Sequence, residues 1–184
     1  FNLLYFFLTL LSFNSTAQKE SHITTKQLHF CGTKNPSAEQ YKYTRDVLPV
    51  SALNSNTGTT AIPIQVHVVQ DNGTGGPSLE DFAIGLTNLN HHFLDAGIEF
   101  FYKGFPNYVN SATYFDFDED DGDTEDGLAE LFPTATDAIN IYFVNGISFA
   151  GGGAACGYAY FPYDASYANR IVMDNSCFID AAPH

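Results

Sequence analysis

The sequence predicts a mixed α+β or α/β fold, a twisted mixed sheet with a helix packed on it. Three observations carry that reading. Runs of β-branched and aromatic residues recur at 62–69, 98–102, 139–144 and 169–174, each with the length and composition of a strand. Between the first two lies a single stretch whose apolar residues repeat every three or four positions, the period of a helix. Strand, helix and strand at this spacing make a βαβ unit.

Taken in order, the chain opens on the apolar run Phe1 to Leu11, then the small residues Ser15-Thr16-Ala17, then polar Gln18-Lys19-Glu20. This is the layout of a secretory signal peptide over 1–17, and the lack of a Met or a basic stretch before it predicts that its first residues are missing. The run is short for a bilayer span, so the mature form is expected to be secreted, without a membrane segment. Export permits disulfides.

Residues 18–60 carry five bases (Lys19, Lys26, Lys34, Lys42, Arg45) against three acids, a net of +2. Residues 61–184 carry only Lys103 and Arg170 against 18 acids, a net of −16. Between the two, 51–60 is small and polar and reads as an exposed linker. A basic segment ahead of an acidic body has the layout of a pro-segment, or of a plain N-terminal extension. The whole chain, at −14 over 184 residues, repels phosphate backbones, which excludes nucleic acid as a partner.

Within the body, Pro63 stands near the start of the first strand, where a missing N–H is tolerated. Ser78 caps a helix whose apolar residues are Leu79, Phe82, Ala83, Leu86, Leu89 and Phe93, with Glu80 and Asp81 in the first turn where the helix dipole favours them. Gly97 ends it, and 98–102 is the second strand.

Chemistry-bearing motifs are few. His67 lies inside a strand and reads as a core or edge residue. His91 and His92 are about 100° apart on a helix, which prevents them from sharing a metal. The chain has no Gly-x-Ser-x-Gly, phosphate loop or dinucleotide fingerprint. The run 116–126 holds eight carboxylates in eleven residues. It reads as a solvated acidic loop or as a weak calcium site built on Asp116, Asp118, Asp120 and Asp123, since hard oxygen ligands suit calcium. It is not an EF-hand: Asp121 stands at the sixth position and Gly127 at the twelfth. Of three cysteines, Cys156 and Cys177 bracket a region expected to turn back on itself, and they are the expected disulfide. Cys31 is left over in the basic segment.

The blocks 62–69, 139–144, Gly157-Tyr158-Ala159-Tyr160-Phe161-Pro162 and 169–177, in that order, resemble the first half of a pappalysin-type catalytic domain, from the metzincin group of secreted zinc endopeptidases. Cys31-Gly32-Thr33 resembles the Cys-Gly motif of their pro-segments. The resemblance implies a metzincin-like N-terminal subdomain over 61–184 and a role for Cys31 as zymogen latch. It implies protein or peptide substrates, paired with an edge strand within 152–161, a stretch that also reads as a plain β-hairpin. In the whole enzyme it implies peptide hydrolysis by water on zinc, held by a His-Glu-x-x-His helix and a third His. The 184 residues contain no such motif, and Pro183 suits His184 to a helix start rather than an interior. The expectation is therefore a fragment that stops before the active-site helix, inactive by itself and with its zinc ligands absent. A secreted calcium-dependent binding or adhesion module is the other reading the residues allow. A protease inhibitor acting through the Cys31 segment is a third.

Overall fold

The computed structural model describes residues 30–31, 37–39, 42, 58–118, 124–133, 135–149, 153–160 and 170–180. The expected mixed sheet with a packed helix is present. Its hub is β2, Thr60–Gln70, eleven residues long and rich in Ile and Val. Helix α1, Leu79–Phe93, follows, and then β3, Ile98–Tyr102, returns parallel to the first half of β2, with Thr60 beside Ile98 and Ile64 beside Tyr102. The βαβ unit is therefore real. A further strand β4, Asn107–Asn110, takes over the same edge of β2 from His67 to Gln70. On the other edge, β2 pairs with β6, Ile139–Val144, and β6 pairs with β9, Arg170–Asp174, all parallel.

Beyond β9 the direction changes. Strand β8, Gly153–Ala159, runs antiparallel to β9, with Tyr158 beside Val172. Its first residues pair with β7, Gly146–Phe149, and β7 in turn pairs with β5, Asp116–Asp118. The middle of β8 pairs in parallel with β1, Phe30–Cys31. Short helices among the described residues include α2 (Ala112–Phe115), α3 (Thr124–Glu130) and α4 (Asn175–Asp180).

Both faces of β2 are buried, which explains its nearly continuous apolar sequence. Ile64, Val66 and Val68 form one core with Phe82 of α1, Phe100 and Phe143. On the other face Val69 joins Phe117, Leu128, Phe132, Tyr142, Val144 and Tyr158. Helix α1 is the cover of the first face. Its start is a full capping box: Ser78 Oγ accepts from Asp81 N–H at 3.1 Å, and Asp81 accepts from Ser78 N–H at 2.8 Å. Those bonds hold the Asp81 carboxyl below its usual range, with the Ser78 hydroxyl the main cause. The helix closes through a 3₁₀ turn at Leu94–Ala96 onto Gly97, whose φ of 64° is left-handed and whose N–H reaches Leu94 C=O at 3.0 Å.

Between α1 and the β6–β9 face lies a cavity of about 750 Å³, lined by Leu86, Leu89, Ile141, Ile171, Met173 and Phe178 among others. Phe178 of α4 contributes to its wall. Its ring packs on Phe82 and Phe143 and lies where a Cβ on Gly85 would have to sit, 2.4 Å away. Ser78→Ala should cost about 1 kcal/mol of stability, read as a lower urea midpoint with an unchanged slope. A loss of only a few tenths would mean that packing, not the cap, sets the start of α1.

Candidate functional site

The stretch of the sheet with open chemical potential is β8. Its composition, Gly153-Ala154-Ala155-Cys156-Gly157-Tyr158-Ala159, is small-sided, so its backbone is poorly shielded by its own side chains. Gly157 has to be small: a Cβ there would come within 2.8 Å of Val172 C=O and 3.2 Å of Met173 Sδ. This strand falls inside the stretch 152–161 expected to bind extended peptide. In the structure that edge is taken by the chain itself, with Phe30 beside Ala155 and Cys31 beside Gly157. The register slips by one residue between the two pairs.

Cys156 of β8 is bonded to Cys177 of α4, with Cα atoms 5.3 Å apart. The bridge pins α4 against β8 while Phe178, the next residue, packs on the core that contains Phe82 and Phe143. Cys31 is exposed and takes no part in that bridge.

The acidic run divides into separate elements. Asp116 and Asp118 lie exposed on β5 with buried Phe117 between them, and α3 begins at Thr124. Asp116 Oδ1 accepts from Asn145 Nδ2 at 2.8 Å. Asp126 accepts from Arg170 Nη1 at 3.2 Å, tying α3 to the start of β9. Asp120 and Asp123 lie outside the described residues. Among the described residues no three His, Cys, Asp or Glu side chains come together in a way that could hold a metal ion. These residues therefore do not fit the zinc ion that the resemblance implies. His184 is outside the described residues.

His67 is fully buried, and the structure gives it a core role. It stands in register between Asn107 of β4 and Tyr142 of β6. Its ring stacks on Tyr142 with centroids 4.7 Å apart and 16° between planes, and Phe132 tilts against it at 4.8 Å. Asn107 Nδ2 lies 3.3 Å from Nδ1 and Asn140 Oδ1 lies 3.0 Å from Nε2. These partners assign a neutral ring with the proton on Nε2. Asn140 also grips the main chain of Ala135, accepting from its N–H at 3.0 Å and donating to its C=O at 2.8 Å. Burial is the main cause of a lowered His67 pKa, partly offset by the bond to Asn140. Burial likewise pushes the Tyr102 hydroxyl up to about 12. That hydroxyl donates to Phe82 C=O at 2.8 Å.

The sequence reading missed this polar network and the seat of β1. Asn107 and Asn140 were legible in principle: strand parity puts Asn140 and His67 on one face once β2 and β6 are paired. The β1–β8 pairing spans more than a hundred residues, and no local signal announces it.

Comparison with solved structures settles the fold. The chain superposes on a point mutant of promirolysin from Tannerella forsythia with a TM-score of 0.51 at 17% identity. The match covers 80% of this chain and 60% of that one. The fold is metzincin-like. No protein-family model and no curated protein sequence matches the chain. Among the described residues no helix is long and apolar enough to cross a membrane.

Because the lowered pKa belongs to the folded state, unfolded His67 takes up a proton near pH 6.5 while the folded ring stays neutral. Its contribution is therefore complete above about pH 6.5 and is lost as pH falls from there towards the folded pKa. Against His67→Gln, the wild type should be more stable by roughly 2–4 kcal/mol at pH 7.5. Urea titrations should show that gap narrowing on acidification. A gap that widens would mean the ring is charged in the folded protein.

Proposed function

We propose that this chain is part of the catalytic domain of a secreted pappalysin-type zinc endopeptidase, seen with its pro-segment docked. The carrying observation is the pairing of Phe30–Cys31 with Ala155 and Gly157 of β8. Main-chain pairing at a sheet edge is how a fold receives extended peptide without reading every side chain. An edge closed by the chain's own N-terminal segment is the expected arrangement of a latent precursor. The likeness to promirolysin supports the reading at the level of fold. Since the chain spans 60% of that protein, the activity is a proposal for the whole enzyme.

The described residues offer no fit for zinc, so their part is to bind and orient peptide. Strand β8 supplies N–H and C=O groups along one edge, and the small residues Ala155 and Gly157 let a second backbone approach. Strand β9, reinforced by the Arg170–Asp126 pair, holds β8 from the other side. Cys31, with Gly32 after it, lies on the seat itself, and its expected role in latency belongs to this same proposal.

The field of the body favours such docking. Lys103 is paired with Asp137 and Arg170 with Asp126, so both bases of 61–184 are engaged by the body's own acids. The Lys103 hydrogen bond is the main cause that holds the Asp137 carboxyl below its usual range. The surplus of carboxylates attracts a basic segment or a basic peptide over about a Debye length.

Amide hydrogen exchange tests the seat. Phe30→Pro removes a backbone donor and disfavours pairing, so exchange across 153–159 should rise by about tenfold or more. Adding an excess of extended basic peptide should restore protection. Unchanged exchange in the variant, or no response to peptide, would show that β8 is not a peptide-binding edge.

A further inference from the structure

The pairing of β1 with β8 brings the chain's three cysteines into one place. Two residues of β1 face three of β8: Phe30 lies beside Ala155 and Cys31 beside Gly157, which leaves Cys156 opposite the step between them. Neighbouring strands lie about 4.8 Å apart. One residue of offset then places the Cys31 and Cys156 Cα atoms roughly 6 Å apart, inside the range a disulfide spans. Gly157, the direct neighbour of Cys31, has no side chain to stand between the two. Cys31 is exposed, and Cys156 and Cys177 are each only half-buried. An attacking thiol therefore has a route to the existing bridge.

We propose that these three cysteines form an internal thiol–disulfide exchange switch. The Cys31 thiolate attacks Cys156 Sγ; the Cys31–Cys156 bond forms as the Cys156–Cys177 bond breaks, and Cys177 leaves as the thiolate. The proton that Cys31 gives up is regained at Cys177. One thiol and one disulfide are present before and after, so the step needs no outside oxidant or reductant.

The two states differ in what they hold. With Cys156 bonded to Cys177, α4 is fastened to β8, while β1 is paired with β8 and has no covalent bridge to it. After exchange, β1 is covalently fixed to the edge it covers, and α4 keeps its place through noncovalent contacts, among them the packing of Phe178 and the bonds of Ser176 to Asp174. This inference deepens the proposed function by adding a covalent control over the seat. An edge closed in this way stays closed when salt screens the charges or when the linker at 51–60 is cut. Its chemistry depends on the strand register and not on peptidase activity.

The experiment is disulfide mapping of the full chain under native conditions. Protein incubated at about pH 8.5, near the ordinary thiol pKa, is quenched in acid, alkylated and digested without reductant. A Cys31–Cys156 peptide should accumulate, with alkylation moving from Cys31 to Cys177 in equal measure. Cys177→Ser traps the product: oxidised with glutathione disulfide, it should yield Cys31–Cys156 as its main bridge. Should that variant fail to fold by circular dichroism, the wild-type map decides alone. A wild-type map holding only Cys156–Cys177 would overturn the switch. So would a folded Cys177→Ser protein in which Cys31 and Cys156 are alkylated or capped separately. Hydrogen exchange across 153–159 separates the two ideas, because a protected β8 without exchange leaves the seat standing and removes only the switch.

Discussion

The hydrogen bond from His67 Nε2 to Asn140 Oδ1, 3.0 Å long and shut away from water, ties the sheet together at its most crowded point. Strand β2 has neighbours on both edges and a core on both faces, so a polar side chain in its middle has to find every partner inside the protein. His67 does so through β4 on one side and β6 on the other. Asn140 passes the constraint on to the main chain at Ala135 and Ala138. The register of β6 against β2 is thereby fixed by chemistry as well as by pattern, since a one-residue slip would turn Asn140 into the opposite core. Strand β9 is paired to β6, and β8 to β9, so the position of the edge that receives β1 depends on this buried contact two strands away.

What could be read from the sequence follows from how each element earns its burial. The strands β2, β3, β6 and β9 and helix α1 were legible because each carries a dense apolar signal of one period. The other elements are short, and their burial comes from tertiary context. β4 is Asn-Tyr-Val-Asn, and β5 has one buried residue, Phe117, between two exposed aspartates. Local propensity argues against a strand in both, and pairing with a neighbour overrides it. The helix α3 hides in the acidic run because, among its described residues, the buried ones are just Leu128 and Ala129. Strand β8 lacks the β-branched residues that mark a strand; only the resemblance to a known family pointed to it. The seat of β1 is a long-range pairing, and composition gives no access to such contacts.

Charge tells a complementary story. Residues 61–184 hold 18 acids and two bases, and both bases are already in ion pairs with Asp126 and Asp137. The exposed Lys103–Asp137 pair contributes little to stability. The larger effect of the two pairs is to leave the surface almost purely anionic. The other five bases of the chain all lie in 18–60, so the part of the sequence that contributes β1 is also the part that the body attracts.

The bridge between Cys156 and Cys177 closes a ring across 21 positions of sequence, and that ring contains the whole of β9. A proteolytic nick at any bond between the two cysteines would leave both fragments covalently joined. They would run as one band on a gel until a reductant was added. A clip outside Arg170–Asp174 would also leave the residues of β9 that pair with β6 and β8 in one piece.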